Sequence, residues 1–160
     1  MIYHFGQYPQ GEDEHAVEIR IDPWDTWNMD YTLALIIVPM LKQLKETKHG
    51  APHVDQDDVP EELRMPAGWY ENNYSVNGET DPDFFKRWDW VMDEMIWAFE
   101  QMISDDDESQ FYDHSECDLD DDFMESVKKM KVDREGLDQH HNRISNGLRL
   151  FGKYYRSLWD

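Results

Sequence analysis

The chain is poor in the residues that build covalent or metal-based architecture. Of its 160 residues one is a cysteine, Cys117. One thiol forms no intramolecular disulfide and no cysteine-based zinc site of the ordinary kind. Cys117 lies among acids, away from the cationic surroundings that activate a thiol nucleophile, so an inert side chain is expected. Long apolar runs are absent too. The longest, Leu33 to Leu41, is interrupted by Pro39 and falls far below the roughly 20 residues that span a bilayer. The stretch Met1–Gly6 lacks the basic and apolar regions of a signal peptide. There is no Gly-rich phosphate loop, no serine nucleophile elbow and no His-Glu-x-x-His pair. The glycines Gly147 and Gly152 lie inside a helical pattern, not a dinucleotide fingerprint. A soluble cytoplasmic protein is expected, with no cofactor.

Positive charge is the scarcest commodity. Against 36 Asp and Glu stand 15 Lys and Arg, for a net charge of -21. Such a surplus repels nucleic acids and anionic membranes at long range, so direct contact with either is not expected. Hydrophobic residues at 39% and aromatics at 14% exclude a disordered chain. The length suits one domain. The expected organisation is a single domain over 1–160, with a loose stretch at 1–15, a connector at 51–80 and an acidic flexible segment at 105–125.

The fold class expected is mainly α, three long helices with a minor N-terminal β element. Residues Ala16–Asp22 alternate apolar and charged side chains, the pattern of a half-buried strand ended by Pro23. The first helix is placed over Met29–Lys48, with Asn28 as its cap. Its middle, Leu33–Val38, is apolar on every face and calls for cover by neighbours or a partner chain. Pro39 predicts a kink. Lys48–Pro52 reads as a stop, with Gly50 free to take the left-handed cap. A turn is expected at Pro60–Arg64. A second helix starts at Asp81-Pro82, carries Phe84, Trp88, Val91, Met92, Met95, Phe99 and Met102 at helical spacing, and ends at Ser104–Asp107. Residues 105–125 hold eleven acids and no lysine or arginine. The last helix runs from Asp133 to Leu158. On it Leu137, His141, Ile144, Leu148, Phe151, Tyr155 and Leu158 repeat at heptad spacing, a seam for another helix. His141 falls on that seam and His140 faces another side.

Three patterns carry candidate chemistry. Asp89, Asp93 and Glu100 form an acidic stripe on the second helix. Asp89 and Asp93 stand one turn apart, a spacing that lets two carboxylates share a divalent cation. A solvated or salt-bridged stripe explains them as well. His49, His53, Asp55, Asp57 and Asp58 cluster in a loop without the spacing of a compact zinc motif. The bases are concentrated: residues 126–160 hold eight of the fifteen, with four acids. There Asn142, Asn146, Arg149, Lys153 and Arg156 fall on one helix face. Lys42, Lys45 and His49, with Lys48 beside them, make a second basic stripe. Arginine, lysine and asparagine with nearby Tyr154 or Trp159 suit a phosphate and a stacked base. Pairing of these bases with the chain's own acids is the competing explanation.

Ile21–Ala34, Pro39–Pro52 and Arg87–Glu100 resemble a family of small proteins from tailed, contractile-tailed (T4-like) bacteriophages, as does the ending Asn142–Trp159. The resemblance implies a phage origin and supplies no catalytic residues. It shifts expectation towards accessory proteins that antagonise host defences by binding, in the host-cell cytoplasm. The leading expectation is a non-enzymatic binding protein of that kind, homo-oligomeric, whose partner is a host protein or a sequestered small anionic, nucleotide-type ligand held by the basic residues above. The competing readings are an acidic DNA mimic that inhibits a host enzyme, a metal-dependent nucleotide hydrolase using Asp89, Asp93 and Glu100, and a virion component.

Overall fold

The computed structural model describes residues 20–104, 108–117 and 122–159. The first described element is a 3-10 turn, Pro23–Thr26, fixed by a reciprocal capping box. Asp22 Oδ1 accepts from Trp24 N–H at 3.0 Å, and Asp25 Oδ2 accepts from Asp22 N–H at 2.9 Å. Helix α1 (Met29–Thr47) follows, with Pro39 inside it. Asn28 stands at the cap position, but its side chain makes no capping bond. The helix buries Ala34, Val38 and Leu41, one stripe at helical spacing, whereas Leu33, Leu35 and Met40 stay exposed. The run Leu33–Val38 is therefore covered on one side only. The helix stops because Lys48 turns extended, at ψ 137°. Gly50 does not supply a left-handed cap; among the described residues positive φ occurs at Gly68 and Gly78.

The connector expected over 51–80 is tied down in its first half. The 3-10 turn Gln56–Asp58 hangs between Val54 and Val59, which are buried in the core, and a second, Glu61–Leu63, follows. A π-helical turn, Tyr70–Tyr74, then runs into the single turn α2 (Ser75–Asn77), closed by Gly78 at φ 75°. Here a left-handed conformation is required, and glycine adopts it without strain.

Helix α3 (Phe84–Met102) is the centre of the molecule. Trp88, Val91, Met92, Met95, Ile96, Ala98 and Phe99 are all buried on it, from the periodicity read in the sequence. It starts just after Asp81-Pro82, and Asp81 serves that start: its Oδ1 accepts the Asp83 N–H at 3.1 Å and its carbonyl the Phe84 N–H at 3.1 Å. Its carboxylate is buried against the Arg87 guanidinium, and Arg87 also donates to the Leu63 carbonyl at 2.9 Å.

Within the acidic segment the described residues are 108–117 and 122–125. A 3-10 turn, Ser109–Phe111, leads into β1 (Tyr112–Asp113). After α4 (Phe123–Lys129), capped by Asp122, β2 (Lys131–Val132) pairs antiparallel with β1, Tyr112 opposite Val132. Among the described residues this ribbon is the β structure. Of the expected strand Ala16–Asp22, residues 16–19 lie outside the described residues, and Arg20–Asp22 are not in a strand.

Helix α5 (Arg134–Tyr154) ends in a 3-10 turn, Tyr155–Ser157. Its buried positions are Gly147, Leu150 and Tyr154, so the expected seam is rotated. Leu148 and Tyr155 are exposed. His141 is also exposed and meets Glu108 Oε1 at 2.6 Å, while His140 packs its ring near Trp97 and Phe111. The cause of the rotation is Gly147. A Cβ there would lie 2.4 Å from Ala98 Cβ and 2.5 Å from the Glu94 carbonyl oxygen, so the missing side chain lets α5 approach α3 along that face.

Both α1 and α5 run antiparallel to α3. Lys42 lies near Glu100 and Lys48 near Asp89; Trp97 lies near His140 and Trp88 near Tyr154. The mainly helical class is as expected, with more helical elements than the three long ones; the expected N-terminal β element falls largely outside the described residues. No helix of the described residues is long and apolar enough to cross a membrane.

Candidate functional site

The basic stripe of α1 and the acidic stripe of α3 meet each other. Because the two helices are antiparallel, Lys42 pairs with Glu100 at 2.6 Å, Lys45 with Asp93 at 2.5 Å, and Lys48 with Asp89 at 2.5 Å. Lys48 also donates to the Lys45 carbonyl. The Lys48–Asp89 contact is one of charges; Asp89 Oδ1 accepts no well-angled hydrogen bond. Glu94, beside the stripe, accepts both arms of Arg143 at 2.7 and 3.0 Å, and that guanidinium lies 3.9 Å from the Trp97 ring centroid. Each carboxylate considered for a metal thus faces a lysine. No group of three or more His, Cys, Asp or Glu among the described residues is arranged to hold a metal ion.

The basic face of α5 meets the connector instead. Asp58, from the expected loop cluster but buried, receives Arg149 on Oδ1 at 2.8 Å and Lys153 on Oδ2 at 2.5 Å. The Tyr154 hydroxyl donates to Asp58 Oδ2 at 2.7 Å and accepts the Asp55 N–H at 3.0 Å. Lys153 also meets Asp55 at 2.5 Å. Burial alone pushes the Asp58 carboxyl up, but the bonds from Lys153, Tyr154 and Arg149 and the guanidinium charge outweigh it, and its pKa lies below the ordinary value. The bonds to Asp55 and Asp58 raise the Lys153 pKa. Burial, then the bond to Asp58, pushes the Tyr154 phenol up to about 12. The arrangement is a clamp that fastens the connector to α5.

The remaining expected ligand residues are dispersed. Asn146 accepts Arg149 on its side-chain oxygen at 2.8 and 3.1 Å. Asn142 is exposed further up α5, Arg156 is exposed in the terminal 3-10 turn, and His49 is exposed beyond α1. Lys42, Lys45 and Lys48 are thus paired with acids of α3, and Arg149 and Lys153 with acids of the connector. Of the acids proposed for DNA mimicry, 105–107 and 118–121 lie outside the described residues, and Asp122 caps α4.

What the charged residues leave over is apolar. A groove of about 880 Å³ runs along α1 and the end of α5. Leu35, Ile36, Pro39, Met40, Phe151 and Tyr155 are among its lining residues, and none of the lining is charged. At the other end of α1, Trp24 and Trp27 stack with centroids 5.4 Å apart and planes 20° apart, yet are 72% and 76% exposed. Sequence reasoning passed over both tryptophans as sites; the signal was Asp22-Pro23 with Asp25 at the third turn position, a capping box that makes the aromatic turn rigid. It likewise left Asp58 in an acidic loop, since no local pattern reveals a partner 91 residues away, the separation of Asp58 and Arg149.

Compared with protein-family models, with curated proteins and with solved structures, the chain matches none.

Proposed function

We propose that this chain is a binding protein of phage type that antagonises a host defence or host process through protein contacts, and that it acts as a homo-oligomer. The observation that supports this best is the groove between α1 and the end of α5, wide, apolar and free of charge in its lining. Burying such a surface is favourable in proportion to its apolar area, and two copies meeting there bring no like charges of the lining together. A C2 pairing places the same patch on both sides. The phage assignment rests on the three resembling blocks, two of which, Ile21–Ala34 and Pro39–Pro52, contribute the turn, α1 and its stop.

A small anionic nucleotide-type ligand is the narrower form of this reading. At Arg149 and Lys153 such a ligand would have to displace Asp58, and at Lys45 it would have to displace Asp93. Protein contact therefore stands ahead of sequestration. The test is expression in bacterial hosts carrying defence systems, scored by the plating of a sensitive phage. Wild type is expected to raise plating on at least one host, and Leu35→Glu with Met40→Glu, both exposed positions, to fold normally and lose the effect. Plating that is equal with wild type, the groove variant and an empty vector on every host overturns the reading.

A further inference from the structure

The exposed apolar surface is concentrated before and within α1. Ile21, Trp24, Trp27, Met29, Tyr31, Leu33, Leu35 and Met40 are all exposed. Trp24 and Trp27 differ from the rest because the backbone that carries them is capped and their rings stack on each other. The capping box at Asp22 and Asp25, Pro23 at the start of the turn and the Thr26 hydroxyl donating to the Pro23 carbonyl at 2.9 Å hold the turn from both ends. A stacked pair of aromatic rings on a capped turn offers contact area at low entropic cost, the property that enriches tryptophan in binding hot spots. The charge around it is mostly negative, with Arg20 the one base, just before the turn. Residues 21–41 contain Asp22, Asp25 and Asp30 and no lysine, arginine or histidine.

The molecule already displays what an indole face and a carboxylate hold together. On the opposite helix pair, the Arg143 guanidinium lies 3.9 Å from the Trp97 centroid while forking onto Glu94. Planar guanidinium suits both contacts at once, stacking on the ring and donating to the acid. We infer that the stacked Trp24–Trp27 pair, with Asp22, Asp25 and Asp30 beside it in sequence, is a docking platform for an arginine-bearing segment of a partner protein. The inference rests on the reading of the chain as a binding protein and names the chemistry of its partner. A second copy of the chain fits less well, since it brings the same three acids against these three. The net charge of -21 steers a basic partner towards the molecule before contact.

Nitrogen-labelled full-length protein, with the indole N–H resonances assigned through Trp24→Phe and Trp27→Phe, tests this directly. The probes are short peptides of one apolar frame carrying arginine, citrulline or glutamate. The arginine peptide is expected to move the Trp24 and Trp27 resonances foremost, with binding that weakens as salt rises. Trp24→Ala with Trp27→Ala, at exposed positions where the fold is retained, is expected to weaken it about tenfold or more. Asp30→Asn, which leaves the capping box intact, is expected to weaken it severalfold. Equal affinity in the double alanine variant, or equal binding of the arginine and citrulline peptides, overturns the platform. Resonances of Trp24 and Trp27 that move with protein concentration alone overturn it in favour of a second copy. A failed titration beside plating that still depends on Leu35 and Met40 removes the platform and leaves the binding reading standing.

Discussion

A carboxylate with 4% side-chain exposure, Asp58, is held by Arg149, Lys153 and Tyr154, and its lowered pKa ties folding to pH. A carboxyl whose folded pKa is depressed stabilises the fold above its ordinary value, 3.8, and loses that stability as pH falls through the lower folded value. Asp81, whose pKa burial raises but the Arg87 bonds lower further, acts in the same direction. Melting temperature is therefore expected to drop below about pH 4, and thermal melts of Asp58→Asn are expected to show a smaller drop. At the alkaline end the sign reverses. Tyr154, raised to about 12, contributes stability that is complete below the usual phenol value and lost as pH climbs through the folded one. The same clamp decides what Arg149 is for. Arg149→Ala is expected to cost about 1–3 kcal/mol by leaving Asp58 short of a partner, seen as a fall of several degrees in Tm. A variant that melted like wild type while losing nucleotide binding in calorimetry would restore the anionic-ligand pocket. Gly147→Ala is expected to cost about 1–3 kcal/mol in chemical denaturation, because its methyl would press on the Glu94 backbone and the Ala98 side chain.

At the scale of elements, α1 and α3 are joined by a buried stripe and by an ion-pair ladder along its edge. The buried stripe, Ala34, Val38 and Leu41 against α3 residues, does most of the joining, since exposed ion pairs contribute only about 0–1 kcal/mol each. Asp93 is 57% exposed on its side chain. Asp93→Asn is accordingly expected to change stability by less than about 1 kcal/mol. Magnesium or manganese is expected to leave the melting temperature of wild type and Asp93→Asn equally unmoved. A metal-dependent rise in wild type that Asp93→Asn abolishes would return the stripe to catalysis. The buried Arg87–Asp81 pair is a different case. It links the start of α3 to the connector through the Leu63 carbonyl, and Arg87→Ala leaves a buried charge alone, at a cost of about 3–5 kcal/mol.

For the whole molecule the question is what covers the outer face of α1. Light scattering at micromolar concentration is expected to give a dimer or larger, and Leu35→Glu with Met40→Glu to give a monomer with an unchanged helical signal. A wild-type monomer under the same conditions would leave the groove for a partner of another kind. Ionic strength supplies a second reading. The charge of -21 opposes self-association at long range, so added salt is expected to strengthen the oligomer, whereas it weakens capture of an arginine peptide.

Periodicity and composition by themselves determined the helical class, the core of α3 and the approximate extents of α1 and α5. Those properties are local: which side chains share a face follows from spacing along one helix. The acidic and basic stripes were legible as stripes for the same reason. That Lys42, Lys45 and Lys48 would meet Glu100, Asp93 and Asp89, and that Arg149 and Lys153 would clamp Asp58, was decided by the antiparallel packing of α1 and α5 on α3, because a charge's partner is set by position in space. The rotation of the α5 seam had the same origin. Seven apolar or aromatic positions at heptad spacing pointed to one face, and a close approach at Gly147 selected the neighbouring one, exposing Leu148 and Tyr155 and turning His140 inward in place of His141. The β ribbon of residues 112–113 and 131–132 was equally invisible, since two-residue strands carry no alternation to read and form only where the chain brings them side by side.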